Sequence, residues 1–174
     1  MSYISAFLTA AVVNNYVLAK GFGFTTSLRG SKNKDFKKFV LCLFVDFMAV
    51  GLIAYVVNPL MANFAYLNLM VLAVIVALVS YATDKFVNKT DYNLFLFLCL
   101  NTAVFALALN VNGLEFVDAL VQILAAFAGF VLATLLLAGV ASRIRMKYVP
   151  KAFHGLPIQV LAAGIISLAL YAFK

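Results

Sequence analysis

Val13-Asn14-Asn15-Tyr16-Val17-Leu18-Ala19-Lys20-Gly21-Phe22-Gly23 interrupts an apolar stretch that otherwise runs from Tyr3 to Phe24. A second run, Leu100-Asn101-Thr102-Ala103-Val104-Phe105-Ala106, interrupts a later apolar stretch in the same way. An amide in apolar surroundings is costly unless it is hydrogen-bonded. Two such interruptions at matching places therefore read as copies within an internal repeat, with a site at its centre.

The rest of the chain sets the medium in which those amides sit. It is 66% hydrophobic and 11% charged, with a mean hydropathy of +1.08. A soluble domain is typically about half apolar and about a quarter charged. The composition predicts an all-α integral membrane protein. The 174 residues allow about six spans of roughly 20 residues with short loops, arranged as a single transmembrane domain over 1–174. Little chain is left for a soluble module, so the chain is expected to be non-catalytic by itself. No basic n-region precedes the first apolar stretch, and no cleavable signal peptide is expected.

The expected spans are 3–24, 39–57, 65–83, 92–109, 117–140 and 158–173. Their apolar character continues on all sides, whereas a membrane barrel would alternate with period two. Breakers separate them: the polar turn at 29–35, Asn58-Pro59, Asn112-Gly113 and Pro150. Charge sets the orientation. Loops 25–38, 84–91 and 141–156 carry Arg29, Lys32, Lys34, Lys37, Lys38, Lys85, Lys89, Arg143, Arg145, Lys147 and Lys151. The opposite side has only Lys174. The positive-inside rule puts both termini on the non-cytoplasmic side. The same rule accounts for the net charge of +7, so no nucleic-acid partner is implied. The expected location is the cytoplasmic or inner membrane, as a multi-pass protein in contact with the lipid bilayer.

Three spans on each side of the middle make corresponding helices cross in opposite directions. The halves, about 1–88 and 89–174, then form an inverted 3+3 repeat, which sets functional groups near the midplane. Asn14, Asn15 and Asn101 are the midplane candidates from spacing, and Lys20-Gly21-Phe22-Gly23 is expected to break the first span.

Among the other polar groups, Asp46 lies mid-span between Val45 and Phe47. A carboxylate there is protonated, paired or in a wet cavity. It is an ion or proton candidate; the alternative is a neutral acid bonded to a neighbouring helix, or one paired with Lys20 or a partner subunit. Asp84 is a second ion or proton candidate, with an interfacial helix-end charge as its plain reading. Cys42 and Cys99 have no metal-ligand spacing and read as inert thiols. His154 reads as a loop residue, and no nucleophile–base set is present, so no catalytic residue is assigned.

Taken together, these residues resemble the Rnf/Nqr membrane-subunit family, in particular the A-type subunit of Rnf complexes and the E-type subunit of the sodium-translocating NADH:quinone reductase. The matching motifs are Val13-Asn14-Asn15-Tyr16-Val17-Leu18 with Lys20 and Gly23, Ser31-Lys32, Thr83-Asp84, Lys89-Thr90, Asn101-Thr102-Ala103-Val104, Val149-Pro150, Phe153-His154-Gly155 and the last span from Ala162 to Leu168. The resemblance implies a membrane subunit of a translocase that couples electron transport to Na⁺ or H⁺ transport. It also implies that the partner is a homologous sister membrane subunit, within a larger redox complex.

In that family this subunit type gives two cysteines to a [2Fe–2S] cluster shared with the sister. The corresponding positions here are Thr25 and Thr102. Thr hydroxyls do not hold an iron–sulfur cluster. Cys99, three residues before Thr102, is a weak substitute. The expectation is therefore a divergent member with no cluster of its own, whose midplane residues Asn14, Asn15, Thr25, Asn101 and Thr102 could still coordinate Na⁺. The alternative is a small membrane transporter, or a substrate-binding membrane component, that uses the same fold without redox chemistry.

Overall fold

The computed structural model describes residues 3–30, 36–88, 98–99, 101–144 and 149–172, and over these it is all-helical. Helix α1 (Tyr3–Leu8) runs into a π-helical turn, Thr9–Val13. Helix α2 is Phe24–Gly30, α3 is Phe36–Leu60 and α4 is Ala65–Thr83, followed by a second π turn at Asp84–Asn88. Helix α5 is Thr102–Asn110, α6 is Phe116–Arg143, and a short 3₁₀ turn at Lys151–Phe153 leads into α7 (Leu156–Tyr171). Within the expected features, positions 31–35, Lys89-Thr90, 92–97, Arg145 and Lys147 lie outside the described residues.

Among the described residues, three helices are long and apolar enough to cross a membrane: Phe36–Leu60, Tyr66–Phe86 and Phe116–Arg143. A helix of 25 residues is about 37 Å long at ~1.5 Å per residue, against a hydrocarbon core of about 30 Å. Helix α3 buries one stripe, Phe39, Cys42, Leu43, Asp46, Phe47, Val50, Ala54 and Asn58, at the three- and four-residue steps of a helical face. Helix α6 crosses it, with Phe47 against Phe130 at 5.7 Å and Phe44 against Phe127 at 5.1 Å between ring centroids. These Phe contacts and the close fit of Gly51 on Ile123 make this pair the centre of the core.

Helix α4 lies antiparallel on α3. Ser80 bonds Asp46 near one end, and Asn68 Nδ2 donates to Asn58 Oδ1 at 3.0 Å near the other. In that register buried Val50 falls level with Val76, and buried Ala54 with Leu72. Ile75 and Val79 also pack partly on the core, while much of the rest of α4 is exposed, with Tyr66 at 94%. Polar rungs thus bracket an apolar seam, and a sliding shift would unpair both ends at once.

Three expectations are corrected. The stretch 3–24 is not one helix: it opens at Asn14, before the expected glycine break, because the Asn15 side chain takes over backbone hydrogen bonds there. The stretch 25–38 is not all loop, since Phe24–Gly30 is helical and is anchored by buried Ser27 and Leu28. Asn58-Pro59 does not end the second span, because α3 continues through Pro59 to Leu60. Local preference disfavours helix before Pro, but Asn58 Nδ2 donates to Ala108 O at 2.8 Å, and that contact holds the turn.

A crossing of two broken helices as the candidate site

Asn15 builds the first break. It is fully buried, and its Oδ1 accepts from the backbone N–H groups of Val17 at 2.9 Å and Leu18 at 3.2 Å. Its Nδ2 donates to Ala11 O at 2.9 Å and, on α6, to Gly129 O at 2.7 Å. One amide therefore replaces the helix ladder on both sides of the break, which is what makes unwound backbone tolerable in an apolar bundle. Gly129 carries no side chain for a reason: a Cβ there would lie 2.7 Å from Ala11 O and 3.1 Å from Asn15 Nδ2.

Asn101 repeats the device. It caps α5, accepting from Ala103 N–H at 3.1 Å, and a cap of this kind satisfies an otherwise orphan donor. The two breaks meet where the Gly23 N–H donates to Thr102 Oγ1 at 2.7 Å. Gly23 has φ +70°, and a Cβ on it would lie 2.5 Å from Asn101 Oδ1, 2.8 Å from Phe130 and 2.9 Å from Ala103 Cβ. The crossing thus requires glycine for both conformation and space. Thr102→Val removes the acceptor for Gly23 N–H, and a loss of about 1 kcal/mol is expected, read as a lower unfolding temperature of the purified chain. Thr102→Ser, which keeps the hydroxyl, is expected to restore most of it.

Further polar contacts fix the segments around the crossing. The Tyr16 hydroxyl accepts from Asn110 Nδ2 and from Gln122 Nε2, each at 3.2 Å. Lys20 Nζ sits 4.9 Å from the Tyr16 ring centroid, a cation–π distance. Thr134 donates to Phe130 O at 2.8 Å, which leaves the Ser27 hydroxyl to donate to Thr134 at 3.0 Å. Tyr16, Ser27, Asn110, Gln122 and Thr134 were not expected as site residues. Gln122 and Thr134 give only a weak signal in sequence, a single polar residue among apolar neighbours, whereas Tyr16, Ser27 and Asn110 sit within or beside the polar interruptions.

The expected candidates separate by burial. Asn15 and Asn101 are buried at the crossing, whereas Asn14, Thr25 and Thr102 are exposed on its outer face. Asn14 lines a cavity of about 130 Å³ shared with Ser167 and Tyr171 of α7. Asp46 is fully buried on the α3–α4 seam, and Lys20 stacks on Tyr16 rather than pairing with it. Asp84 is half-buried where α4 passes into its π turn. Cys42 is completely buried and Cys99 half-buried, both as free thiols. Among the described residues, no three His, Cys, Asp or Glu side chains stand together in a way that could hold a metal ion.

Apolar helices long enough to span a bilayer, and two helices broken at amide-capped turns that touch, define a multi-pass all-helical membrane protein. No family model matches the chain. It is similar along its whole length to the A-type subunit of the Na⁺-translocating ferredoxin:NAD⁺ oxidoreductase complex of Acetobacterium woodii, with 31% identity over 190 residues, covering 100% of this chain and 97% of that relative. The A-type subunit of the ion-translocating oxidoreductase complex of Serratia proteamaculans is 32% identical over 185 residues, covering 98% and 95%. The subunit of the same name from Syntrophotalea carbinolica is 33% identical over 179 residues, covering 94% and 92%. The chain belongs to the family of A-type subunits of ion-translocating oxidoreductase complexes.

Proposed function

We infer that this chain is the A-type membrane subunit of an ion-translocating electron-transport complex in the cytoplasmic membrane, and that its own half of the central site works without an iron–sulfur cluster. The observation that carries the reading is the exposure of the crossing. Asn14, Lys20, Gly21 and Phe22 are exposed on backbone that is not regular helix from Asn14 to Gly23, and Thr25 and Thr102 are exposed beside them in the first turns of α2 and α5. Unwound backbone does not face lipid within the hydrocarbon region; protein or a water-filled cavity covers it. A homologous sister subunit, presenting an equivalent crossing, is the natural cover. An inverted repeat belongs to the same reading, and the packing of α3 on α5 alongside that of α6 on α1 and its π turn supports it. The six-span count, with both termini non-cytoplasmic, is part of the same reading and rests on the apolar segments and the charge bias.

The donor set at the crossing does not fit a [2Fe–2S] cluster. Two thiolates from this chain are needed, but Thr25 and Thr102 offer hydroxyls, and Thr102 Oγ1 already accepts from Gly23 N–H. Cys42 is sealed in the α3–α4 seam. The hydrogen bond instead bridges the two breaks from within the chain. A hard cation such as Na⁺ would find hydroxyl oxygens here, with the oxygens of Asn15 and Asn101 committed to backbone N–H groups.

Iron content and electron paramagnetic resonance of the chain, purified with whatever subunits accompany it, test this reading. Wild type is expected to give no [2Fe–2S] signal ligated by this subunit, and Thr25→Cys with Thr102→Cys to gain one. A cluster signal that disappears on replacing Cys99 or Cys42 would sink the cluster-free reading. Purification as a stable single chain, with no membrane partner, would remove the subunit reading itself.

A further inference from the structure

Asp46 stands apart from the crossing and takes no part in it. Its exposure is 0%. The Ser80 hydroxyl on α4 donates to its Oδ1 at 3.1 Å and approaches Oδ2 at 3.4 Å. Among the described residues it has no other hydrogen-bond partner and no counter-cation. The titratable groups around it are few. On its own helix Cys42 lies one turn away. On α4 Asp84 lies one turn beyond Ser80, followed by exposed Lys85. Cys99, just before α5, is within electrostatic reach of Asp46, and Cys42 is within reach of both Asp46 and Asp84. Helix α6 faces this part of α3 with Phe127 and Phe130; its own charged residues, Asp118 and Arg143, lie exposed at its two ends.

An ionised carboxylate at this place would meet one hydroxyl and apolar side chains. The cost of a buried, uncompensated ion is several kcal/mol. A proton removes that cost. A metal cation is a poorer fit, since hard cations take about six oxygen ligands, and this pair provides the two carboxylate oxygens and one hydroxyl.

We propose that Asp46 and Ser80 form a proton-binding site inside the bundle, loaded from the Asp84 end of the α3–α4 seam. Ser80 and Asp84 are four residues apart and share a face of the helix, with buried Thr83 beside them. The α-helix gives way to a π turn at Asp84–Asn88, and π turns recur at functional positions because they widen the backbone locally. The step is a simple protonation: a proton from the solvent at the basic-loop end passes by way of the Asp84 carboxylate to Asp46. No electron moves. The site is independent of whether the crossing carries a cluster.

Infrared spectroscopy of the chain with its native partner subunits in lipid nanodiscs reads this site directly. At neutral pH the wild type is expected to show the carbonyl stretch of a protonated carboxylic acid, shifted in D₂O, lost as the pH is raised, and insensitive to Na⁺. Asp46→Asn should lose the band entirely. Ser80→Ala should retain it at a shifted frequency, and it serves as the test should Asp46→Asn fail to accumulate. Asp84→Asn should keep the band and slow its exchange with D₂O. The proposal is overturned by the absence of the band in wild type, by its persistence in Asp46→Asn, or by a band that does not exchange, which would mark a sealed structural acid. Displacement of the band by Na⁺ at constant pH would replace the proton with the metal ion as ligand.

Discussion

Gly23→Ala is expected to give a chain that no longer forms the crossing. The added Cβ would meet Asn101 Oδ1, Phe130 and Ala103 at 2.5, 2.8 and 2.9 Å, on a backbone held at φ +70°. A left-handed non-glycine residue costs about 1–2 kcal/mol, and overpacking a filled core about 1–3 kcal/mol more. Together these take a large share of a typical stability of about 5–15 kcal/mol. Gly139→Ala and Gly164→Ala are the controls, since a Cβ on either meets nothing within 4 Å and neither has positive φ; both lie inside helices, so each should be neutral or stabilising by up to about 1 kcal/mol. The chain has no Trp, so the readout is thermal reactivity of the buried Cys42 thiol toward a fluorogenic dye, in a Cys99→Ser background that removes the second free thiol. A Gly23→Ala chain that protects Cys42 to the wild-type temperature would show that the crossing does not need glycine.

The second large effect separates the two amides. Asn15→Ala leaves the N–H groups of Val17 and Leu18 and the carbonyl of Gly129 without this partner; at about 1–3 kcal/mol for each buried group left unsatisfied, a loss of at least about 3 kcal/mol is expected. Asn→Ser makes the contrast sharper. A serine at either position can still cap nearby N–H groups, but it cannot span to another helix. Asn15→Ser therefore loses the bond to Gly129. Asn101→Ser should be far milder, because Asn101 Nδ2 has no hydrogen-bond partner among the described residues, so only a cap is exchanged. Equal melting temperatures for the two serine variants would refute this division of labour.

Much of this architecture is legible in the sequence for a physical reason. Apolar composition, breakers and basic loops fix helices in a membrane because the medium imposes them, and the paired Asn runs mark breaks because an amide in such a medium must be used. The position of the first break was less legible. Gly21 and Gly23 advertise flexibility, but the helix opens earlier, at Asn14, because Asn15 has an acceptor on α6 that only the tertiary fold supplies. For the same reason Gln122 and Thr134 give only a weak local signal, while Gly129 beside the Ala-rich run 125–128 reads as a place of close helix packing without naming its partner. Pro59 misled in the opposite direction, since its local preference yields to the contact of Asn58 with Ala108. Asp46 was conspicuous as a residue, yet the choice between pairing with Lys20 and bonding to Ser80 turned on where each side chain packs.

Four tertiary bonds that hold the first broken helix reach far down the chain: Gly23 to Thr102, Ser27 to Thr134, Tyr16 to Gln122 and Asn15 to Gly129, with separations of 79 to 114 residues. The first segment to be synthesised is thus among the last to be fixed. At about 5–20 residues per second, Asn15 waits roughly 6–23 s for Gly129 to be made. Through that interval its amide sits at the membrane with its far acceptor still unmade. A ribosome that stalls after α5 leaves a nascent chain whose N-terminal break has no anchor on α6.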